Sequence, residues 1–143
     1  MPEKENVQVV TKWIEAVNAH DASRFEQYRA PAYLSEIPIF PGPVGVDEEV
    51  AYSQGLFEAF PDLHVDIKQT IAQGDFVVAE LTFAGTHEGP LTMPGGPTVP
   101  PTGKKVVVPV SNTFKFADGK VARNSLYYDQ MTMMAQLGLA PGM

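Results

Sequence analysis

Residues 106–128 read VVVPVSNTFKFADGKVARNSLYY, a pattern that is typical of two antiparallel β-strands joined by a tight turn. In the first strand, residues 106–116, apolar side chains occupy alternate positions, so one face of that strand is dry. The turn at residues 117–120 contains Gly119, which can adopt the positive φ angle that such a turn needs. A second strand is predicted over residues 121–128. The hairpin therefore indicates an antiparallel sheet with one face packed on a core.

Asn112 is the single polar residue on the dry face of the first strand. A buried amide without a hydrogen-bond partner costs about 1–3 kcal/mol, so some group must bond it. Either a backbone group or a buried water satisfies this amide, or the amide points at a ligand oxygen in an apolar cavity. Matching the dry faces of the two strands places Asn112 opposite Leu126 and diagonally beside Asn124 and Tyr128. Two amides and a phenol are thus predicted on one apolar wall.

The rest of this wall is predicted to be apolar. A neighbouring strand, expected over residues 76–87, has alternate side chains that share one side. Together with Asn124, Leu126 and Tyr128, the predicted ligand-binding residues are Val108, Val110, Phe114 and Phe83.

Two further side chains are candidates for moving a proton. His87 ends the strand over residues 76–87, where the chain enters a Pro- and Gly-rich segment, residues 89–103, which we predict to be a long loop without helix or strand. Only histidine titrates near neutral pH without help, so His87 is the best available proton carrier, with bonding of loop carbonyls as the structural alternative. Glu36 lies in an earlier Pro-rich loop, residues 31–46, and is expected to hang over the cavity mouth.

The order of helical and strand patterns indicates the fold class. Before Pro61 apolar residues recur every three or four positions, and after it they alternate. Helices are predicted from Val7, after a cap at Asp21 and after a cap at Asp47, and a short closing helix after a cap at Asp129. Three helices before a run of strands predict an α+β fold with the helices packed on one face of a bent sheet.

Composition excludes several classes of function. The chain has 143 residues, and we expect residues 1–143 to form one domain. Its 10 basic and 17 acidic residues give a net charge of −7, which disfavours a nucleic-acid partner. The absence of cysteine excludes a thiol nucleophile and Cys-ligated zinc, and no second histidine lies at ligand spacing from His87, so we predict no metal. Because no long apolar run or signal-peptide pattern occurs, we expect a cytoplasmic protein without a membrane partner.

As a set, several short motifs resemble those of the SnoaL-like polyketide cyclase family. The resemblance extends from about Val7 to Leu139. The motifs are NAHD at 18–21, FPDL at 60–63, GTHEGP at 85–90, PTGKK at 101–105, DGKV at 118–121 and QLG at 136–138.

This resemblance implies the nuclear-transport-factor-like cone, in which three helices cover a strongly curved, mixed and mostly antiparallel sheet around an apolar pocket, often in a homodimer. Family cyclases close a ring by an intramolecular aldol step, without metal or cofactor, using an acid/base Asp and a nearby His. Here Leu126 occupies the place of that Asp and Asn112 the place of that His, whereas His87 matches a position at the pocket rim. Leucine cannot take a proton, so the family's mechanism does not transfer to this chain unchanged.

Two hypotheses of function follow. In the first, the chain is a cofactor-independent cyclase or isomerase that binds a hydrophobic, polyketide-like carbonyl compound. Asn112 and Asn124 would then stabilise its enolate, while His87 or Glu36 moves the proton, with Tyr128 as a third candidate. In the second, the same cavity holds or carries a small apolar metabolite without chemistry. An epoxide hydrolase of the same fold is disfavoured, because Arg123 has outward parity. Under both hypotheses we expect the chain to bind a small hydrophobic molecule and to pair with a second copy of itself.

Overall fold

Five strands form the main sheet of the molecule. The computed structural model describes residues 2–92 and 96–139 of the chain. In chain order the elements are α1 (Pro2–Asn18), a 3₁₀ helix (Ala22–Tyr28), β1 (Arg29–Glu36), α2 (Val46–Ala59), β2 (His64–Gln73), β3 (Phe76–Thr86), β4 (Leu91–Thr92), β5 (Thr98–Val99), β6 (Lys105–Ala117), β7 (Lys120–Tyr128) and α3 (Gln130–Gln136). The main sheet has the order β1-β7-β6-β3-β2. β1 runs parallel to β7 and the other neighbours are antiparallel, so the predicted mixed, mostly antiparallel sheet is confirmed.

The helices pack against the inner face of this sheet, as the α+β prediction requires. Trp13 of α1 stacks on Phe25 of the 3₁₀ helix at 5.0 Å between ring centroids, and its edge meets Phe114 of β6 at 5.7 Å. Such aromatic pairs add about 0.5–1.5 kcal/mol each beyond the burial of their area. Among the helices of the described residues, none is long and apolar enough to cross a membrane.

Two of the three predicted helix caps are confirmed. The Asp21 carboxylate accepts the backbone N–H of Ser23 at 3.2 Å, and Asp129 accepts the N–H of Met131 at 2.9 Å. The prediction for Asp47 was wrong, because α2 begins at Val46 with Gly45 at its N-cap, two residues before the predicted cap. Asp47 lies inside the first turn, where its charge meets the positive end of the helix dipole.

The loop predicted over residues 31–46 is in part a strand. β1 takes up Arg29–Glu36 and forms the edge of the sheet beside β7, with an irregular pairing between Arg29 and Leu34. Pro31 is exposed on this edge, where a residue without an N–H is tolerated. Because β1 separates the 3₁₀ helix from α2, the helices do not form the uninterrupted group of three that was expected.

The segment 89–103 also differs from its prediction. β4 and β5 pair within it as a two-residue ladder, Leu91 with Val99 and Thr92 with Thr98. The prediction that no strand could form there was therefore wrong. Residues 93–95 of this segment lie outside the described residues.

The hairpin of β6 and β7 has the predicted register, with Asn112 opposite Leu126. Asp118 and Gly119 form its turn with φ angles of 51° and 80°. A two-residue turn alone would place Asn112 opposite Ser125. The pairing shifts by one residue where Ala122 is inserted as a bulge in β7, and this shift matches the two dry faces.

Candidate functional site

A cavity of about 140 Å³ lies between the inner face of the sheet and helices α1 and α2. Its wall is mainly apolar, and the predicted residues Phe83, Val108, Val110 and Leu126 line it. The other apolar lining residues include Trp13, Ile14, Val17, Leu56, Phe57, Leu63, Val65 and Leu81. The hollow predicted from strand parity is therefore present.

Two amides interrupt the apolar wall. The Asn112 and Asn124 side chains are buried, line the cavity and bond each other, with Asn112 Nδ2 donating to Asn124 Oδ1. They come from neighbouring strands, β6 and β7, and the bulge at Ala122 brings their faces together. Each amide satisfies part of the hydrogen-bonding capacity of the other, which lowers the free-energy cost of burying them.

Two phenols lie on the same cavity. Tyr128 is the last residue of β7 and lies on its inner face, and Tyr52 belongs to α2. Burial raises the pKa of Tyr128, and burial together with the neighbouring Tyr128 hydroxyl raises the pKa of Tyr52. Both side chains consequently stay protonated near neutral pH, where they can donate a hydrogen bond but cannot act as bases.

A buried ion pair at the cavity was not predicted. Arg29 Nη2 lies 2.7 Å from Glu49 Oε1, and both side chains are almost fully buried. The Tyr33 hydroxyl donates to Glu49 Oε2, so each oxygen of this carboxylate has a donor. The Arg29 guanidinium also lies over the rings of Trp13, Phe25 and Tyr33, at 5.2–5.8 Å from their centroids.

The Tyr33 hydroxyl extends the ion pair by one residue. Burial and the neighbouring Glu49 raise the pKa of Tyr33, and Asn124 and Ser35 partly oppose this rise. The hydrogen bonds run from Arg29 through Glu49 to Tyr33, and we call these three residues the polar chain. Both links join different elements of the fold, since Arg29 and Tyr33 belong to β1 and Glu49 to α2.

One sequence signal pointed to Glu49. It precedes Ser53 by one helical turn and Leu56 by two, so it shares the face of α2 that lines the cavity. Glu49 is, however, the last of three consecutive acidic residues in the first turn of α2, and such a run is typical of a solvent-exposed helix start. For this reason the sequence did not predict that Glu49 is buried.

His87, expected at the pocket rim, does not line the cavity. It lies just beyond β3, fully buried, with its ring 5.6 Å from that of Phe60. Its Nδ1 lies 3.0 Å from Thr102 Oγ1 and accepts the Thr102 N–H at 3.2 Å. Within the part of the chain that the structure describes, its Nε2 has no hydrogen-bond partner. This histidine thus ties the end of β3 to the segment before β6.

Glu36 and Phe114 also lie away from the cavity. Glu36 pairs with Ser125 on the outward parity of β7, accepts the Ser125 hydroxyl at 2.9 Å and lies 3.5 Å from Arg123 Nη1. Phe114 points to the inner face, but its ring is fully buried against Trp13 in the core. Of the three residues predicted to act chemically, only Asn112 lines the cavity.

A model of the SnoaL-like polyketide cyclase family matches residues 7–137. The chain belongs to this family. Among curated proteins, none matches it.

Solved structures agree with this SnoaL-like assignment. AclR from Streptomyces galilaeus is 25% identical, with a TM-score of 0.85 and coverage of 99% of this chain and 89% of AclR. A protein of the SnoaL-like polyketide cyclase type from Jannaschia sp. CCS1 is 26% identical, with a TM-score of 0.84 and coverage of 97% and 95%. A protein with a ketosteroid isomerase-like fold from Catenulispora acidiphila is 18% identical, with a TM-score of 0.73 and coverage of 92% of each chain, and shows the fold alone.

Within this SnoaL-like fold, Leu126 lies on the cavity wall directly across from Asn112. The position that the family resemblance assigns to an acid/base Asp therefore faces the cavity, but it carries an apolar side chain. Among the described residues that line the cavity, the one carboxylate is that of Glu49, and both of its oxygens are already bonded.

Proposed function

We propose that this SnoaL-like chain binds a small hydrophobic carbonyl compound in its cavity, with Asn112 holding the carbonyl oxygen. The buried Asn112–Asn124 pair in an otherwise apolar wall is the observation that carries the proposal. Asn112 Nδ2 uses one hydrogen toward Asn124, and its second hydrogen is available to a ligand. A ketone oxygen meets this donor, while the apolar part of the ligand fills the rest of the cavity.

The size of the cavity limits the ligand. A volume of about 140 Å³ is similar to that of a cavity able to hold one benzene ring. We therefore propose a polyketide-like compound that places one ring, or a short chain of similar size, beside Asn112.

Binding without a chemical step fits the cavity better than the acid/base cyclisation of the family. Abstraction of a proton from carbon needs a base, and Leu126 supplies none. Glu49 is held by Arg29 and Tyr33, and the two phenols are donors. We propose a carrier or holding role as the primary function of this chain.

A cyclase or isomerase is the second candidate, and membership of the polyketide cyclase family favours it. In that case the second N–H of Asn112 and the Tyr128 hydroxyl would polarise the carbonyl. A well-placed donor contributes about 2.7–4 kcal/mol to a developing oxyanion.

Ligand binding can be followed through Trp13, the only tryptophan in the chain, which lines the cavity. Acetophenone is a suitable single-ring ketone, and we expect it to change the Trp13 emission saturably. Asn112→Leu should weaken this binding about 10-fold, because it removes the donor to the ketone oxygen. Thr113→Val, on the outward face of the same strand, is the matched control and should bind as the native protein does.

If acetophenone leaves the emission unchanged, or binds Asn112→Leu as tightly as the native chain, the proposal fails. Native mass spectrometry of the purified protein separates the two candidates. A retained molecule that is released unaltered supports the carrier, whereas its conversion during incubation supports the enzyme.

We also propose a homodimer formed through the outer face of the sheet. Ile71, Phe76 and Tyr127 are exposed on this face, beside the polar residues Ser111 and Thr113. Tyr127→Glu should convert the dimer to a monomer in sedimentation velocity. A native chain that sediments as a monomer at micromolar concentration would contradict the proposal.

A further inference from the structure

A second, mainly apolar cavity lies next to the one at Asn112. It has a volume of about 340 Å³ and lies between α2, β4 and α3. We call it the outer cavity, and the cavity at Asn112 the inner cavity. The apolar residues of its lining are Ile39, Phe40, Ala51, Gly55, Leu56, Leu91, Met133 and Met134. The function proposed above uses the inner cavity alone and gives the outer cavity no role.

Some side chains line both cavities. They are Tyr52, Leu56, Tyr128 and Met133. The inner and outer cavities therefore adjoin at these side chains, which form a common boundary. Met133 is unbranched and has three rotatable bonds, so this part of the boundary can adapt to a ligand that passes it.

The boundary lies close to the proposed carbonyl site. Leu126 lies opposite Asn112, and Tyr128 follows two residues later on the same face of β7. Two residues of a strand span about 7 Å. A substituent that extends farther than this from a carbonyl held at Asn112 can consequently reach the outer cavity.

The closing helix α3 leaves apolar side chains partly uncovered at the outer cavity. None of the residues of α3, Gln130–Gln136, is buried. Met133 and Met134 line the outer cavity and are only half-buried. An alkyl group in this cavity would cover both methionines, and the burial of apolar surface would favour its binding.

Gly55 keeps space open in the outer cavity. It lies inside α2 and lines this cavity, and a Cβ built on it would meet no atom of the described residues within 4 Å apart from its own stretch of helix. Glycine is less favourable in a helix interior than every residue except proline, so helix formation does not account for Gly55. A larger side chain at this position would take up part of the outer cavity.

We propose that the two cavities form one binding site for an elongated ketone. The ring and the carbonyl of this ligand occupy the inner cavity, and an alkyl chain extends past Met133 into the outer cavity. Gly55 is then a specificity-determining residue, because the absence of a side chain there leaves room for the alkyl chain. The inference rests on the proposed function, since it takes the carbonyl to be bound at Asn112.

Two probes differ only in the length of this alkyl chain. Octanophenone has six methylene groups more than acetophenone. Each methylene that is buried corresponds to about 4-fold in affinity, so burial of half of them predicts about 60-fold tighter binding of octanophenone. Trp13 lines the inner cavity and is not among the residues described around the outer one, so its emission reports entry of the ring for both ketones.

Gly55→Leu is the deciding variant. Its side chain should occupy part of the outer cavity, so octanophenone should bind at least about 10-fold more weakly, whereas the affinity for acetophenone should not change. Gly42→Leu is the matched control, because Gly42 is exposed, is not among the lining residues of either cavity and has equally open space at its Cβ. This control should keep both affinities. Damage to the whole fold would weaken both ketones alike.

Ala51→Leu changes the same face of α2 one turn earlier and should also weaken octanophenone selectively. It provides the test if the new side chain of Gly55→Leu turns toward solvent. Octanophenone affinities that stay unchanged in both variants overturn the inference.

The native chain separates this inference from the proposed function. If it binds octanophenone no tighter than acetophenone, as it would if another part of the protein filled the outer cavity, the inference is overturned and the proposed function stands. If neither ketone changes the Trp13 emission, the proposed function fails, and the inference fails with it.

Discussion

Asn112 of β6 donates a side-chain hydrogen bond to Asn124 of β7, and the two amides lie buried in a wall of apolar side chains. The pair is diagonal across the hairpin, because Asn112 lies opposite Leu126 and Asn124 opposite Phe114. Neither amide would be tolerated alone at this depth without another partner. They therefore form one structural unit, on which both the cavity and the orientation of Asn112 depend.

The first prediction concerns the coupling within this unit. Asn112→Leu leaves Asn124 Oδ1 without its donor, which should lower the free energy of unfolding by about 1–3 kcal/mol. Asn124→Leu should cost a similar amount. The double variant removes both partners, so it should be less destabilised than the sum of the single changes by about 1 kcal/mol. Urea denaturation of the four proteins measures this coupling, and additive effects would show that the hydrogen bond adds no stability.

The second prediction concerns the buried ion pair. Arg29→Met leaves the Glu49 carboxylate buried with Tyr33 as its remaining partner, and the free energy of unfolding should fall by about 3–5 kcal/mol. Adding Glu49→Gln removes the unpaired charge and should restore at least half of this loss. Arg123→Met is the control, because its pair with Glu36 is half exposed and should matter by less than about 1 kcal/mol. Equal effects of Arg29→Met and Arg123→Met in urea would contradict the assignment.

The hairpin shows how far sequence pattern can predict this fold. Alternation identifies the dry face of β6, and matching it to a dry face on β7 predicts the pairing of Asn112 with Leu126 that the structure has. Capping chemistry likewise predicts the starts of the 3₁₀ helix and of α3 at Asp21 and Asp129. Each of these features depends on residues close together in the chain, where local physics decides.

The polar chain shows what the pattern could not predict. Ala30 and Pro31 end a helix locally, but their place in β1 depends on a parallel partner in β7, far along the chain. Without β1, nothing brings Arg29 near Glu49, and charged residues are ordinarily assigned to water. The direction of the His87 side chain could not be predicted for a related reason. His87 lies one residue past β3, where strand parity no longer determines the direction of a side chain.

The third prediction concerns pH. Burial lowers the pKa of His87 below its ordinary value of 6.5, and the nearby Gly89 backbone opposes this only in part. Below about pH 6.5 the unfolded chain takes up a proton that the folded chain does not, so the free energy of unfolding should fall as pH falls toward the lower folded value. A proton on Nδ1 would also displace the Thr102 N–H.

Urea midpoints between about pH 7.5 and 5 should therefore decline less steeply for His87→Gln than for the native chain. His64→Gln, which changes an exposed ring, should retain the native decline. If His87→Gln and the native chain have the same pH dependence, His87 does not carry this effect.

The last prediction compares two glycines. A Cβ placed on Gly89 would lie 2.0 Å from the backbone oxygen of Glu58, where the chain after β3 crosses the end of α2. The N–H groups of Glu88 and Gly89 both donate to the Ala59 oxygen there at 3.1 Å, so the two segments cannot separate without losing these bonds. Gly89→Ala should therefore destabilise the chain by about 1–3 kcal/mol. A Cβ placed on Gly55, within α2, would have no atom within 4 Å apart from its own stretch of helix, and Gly55→Ala should stabilise the chain by about 0.5–1 kcal/mol through its helix propensity. Thermal unfolding should show shifts in Tm of opposite sign, and shifts of the same sign would mean that the close approach at Gly89 does not constrain the fold.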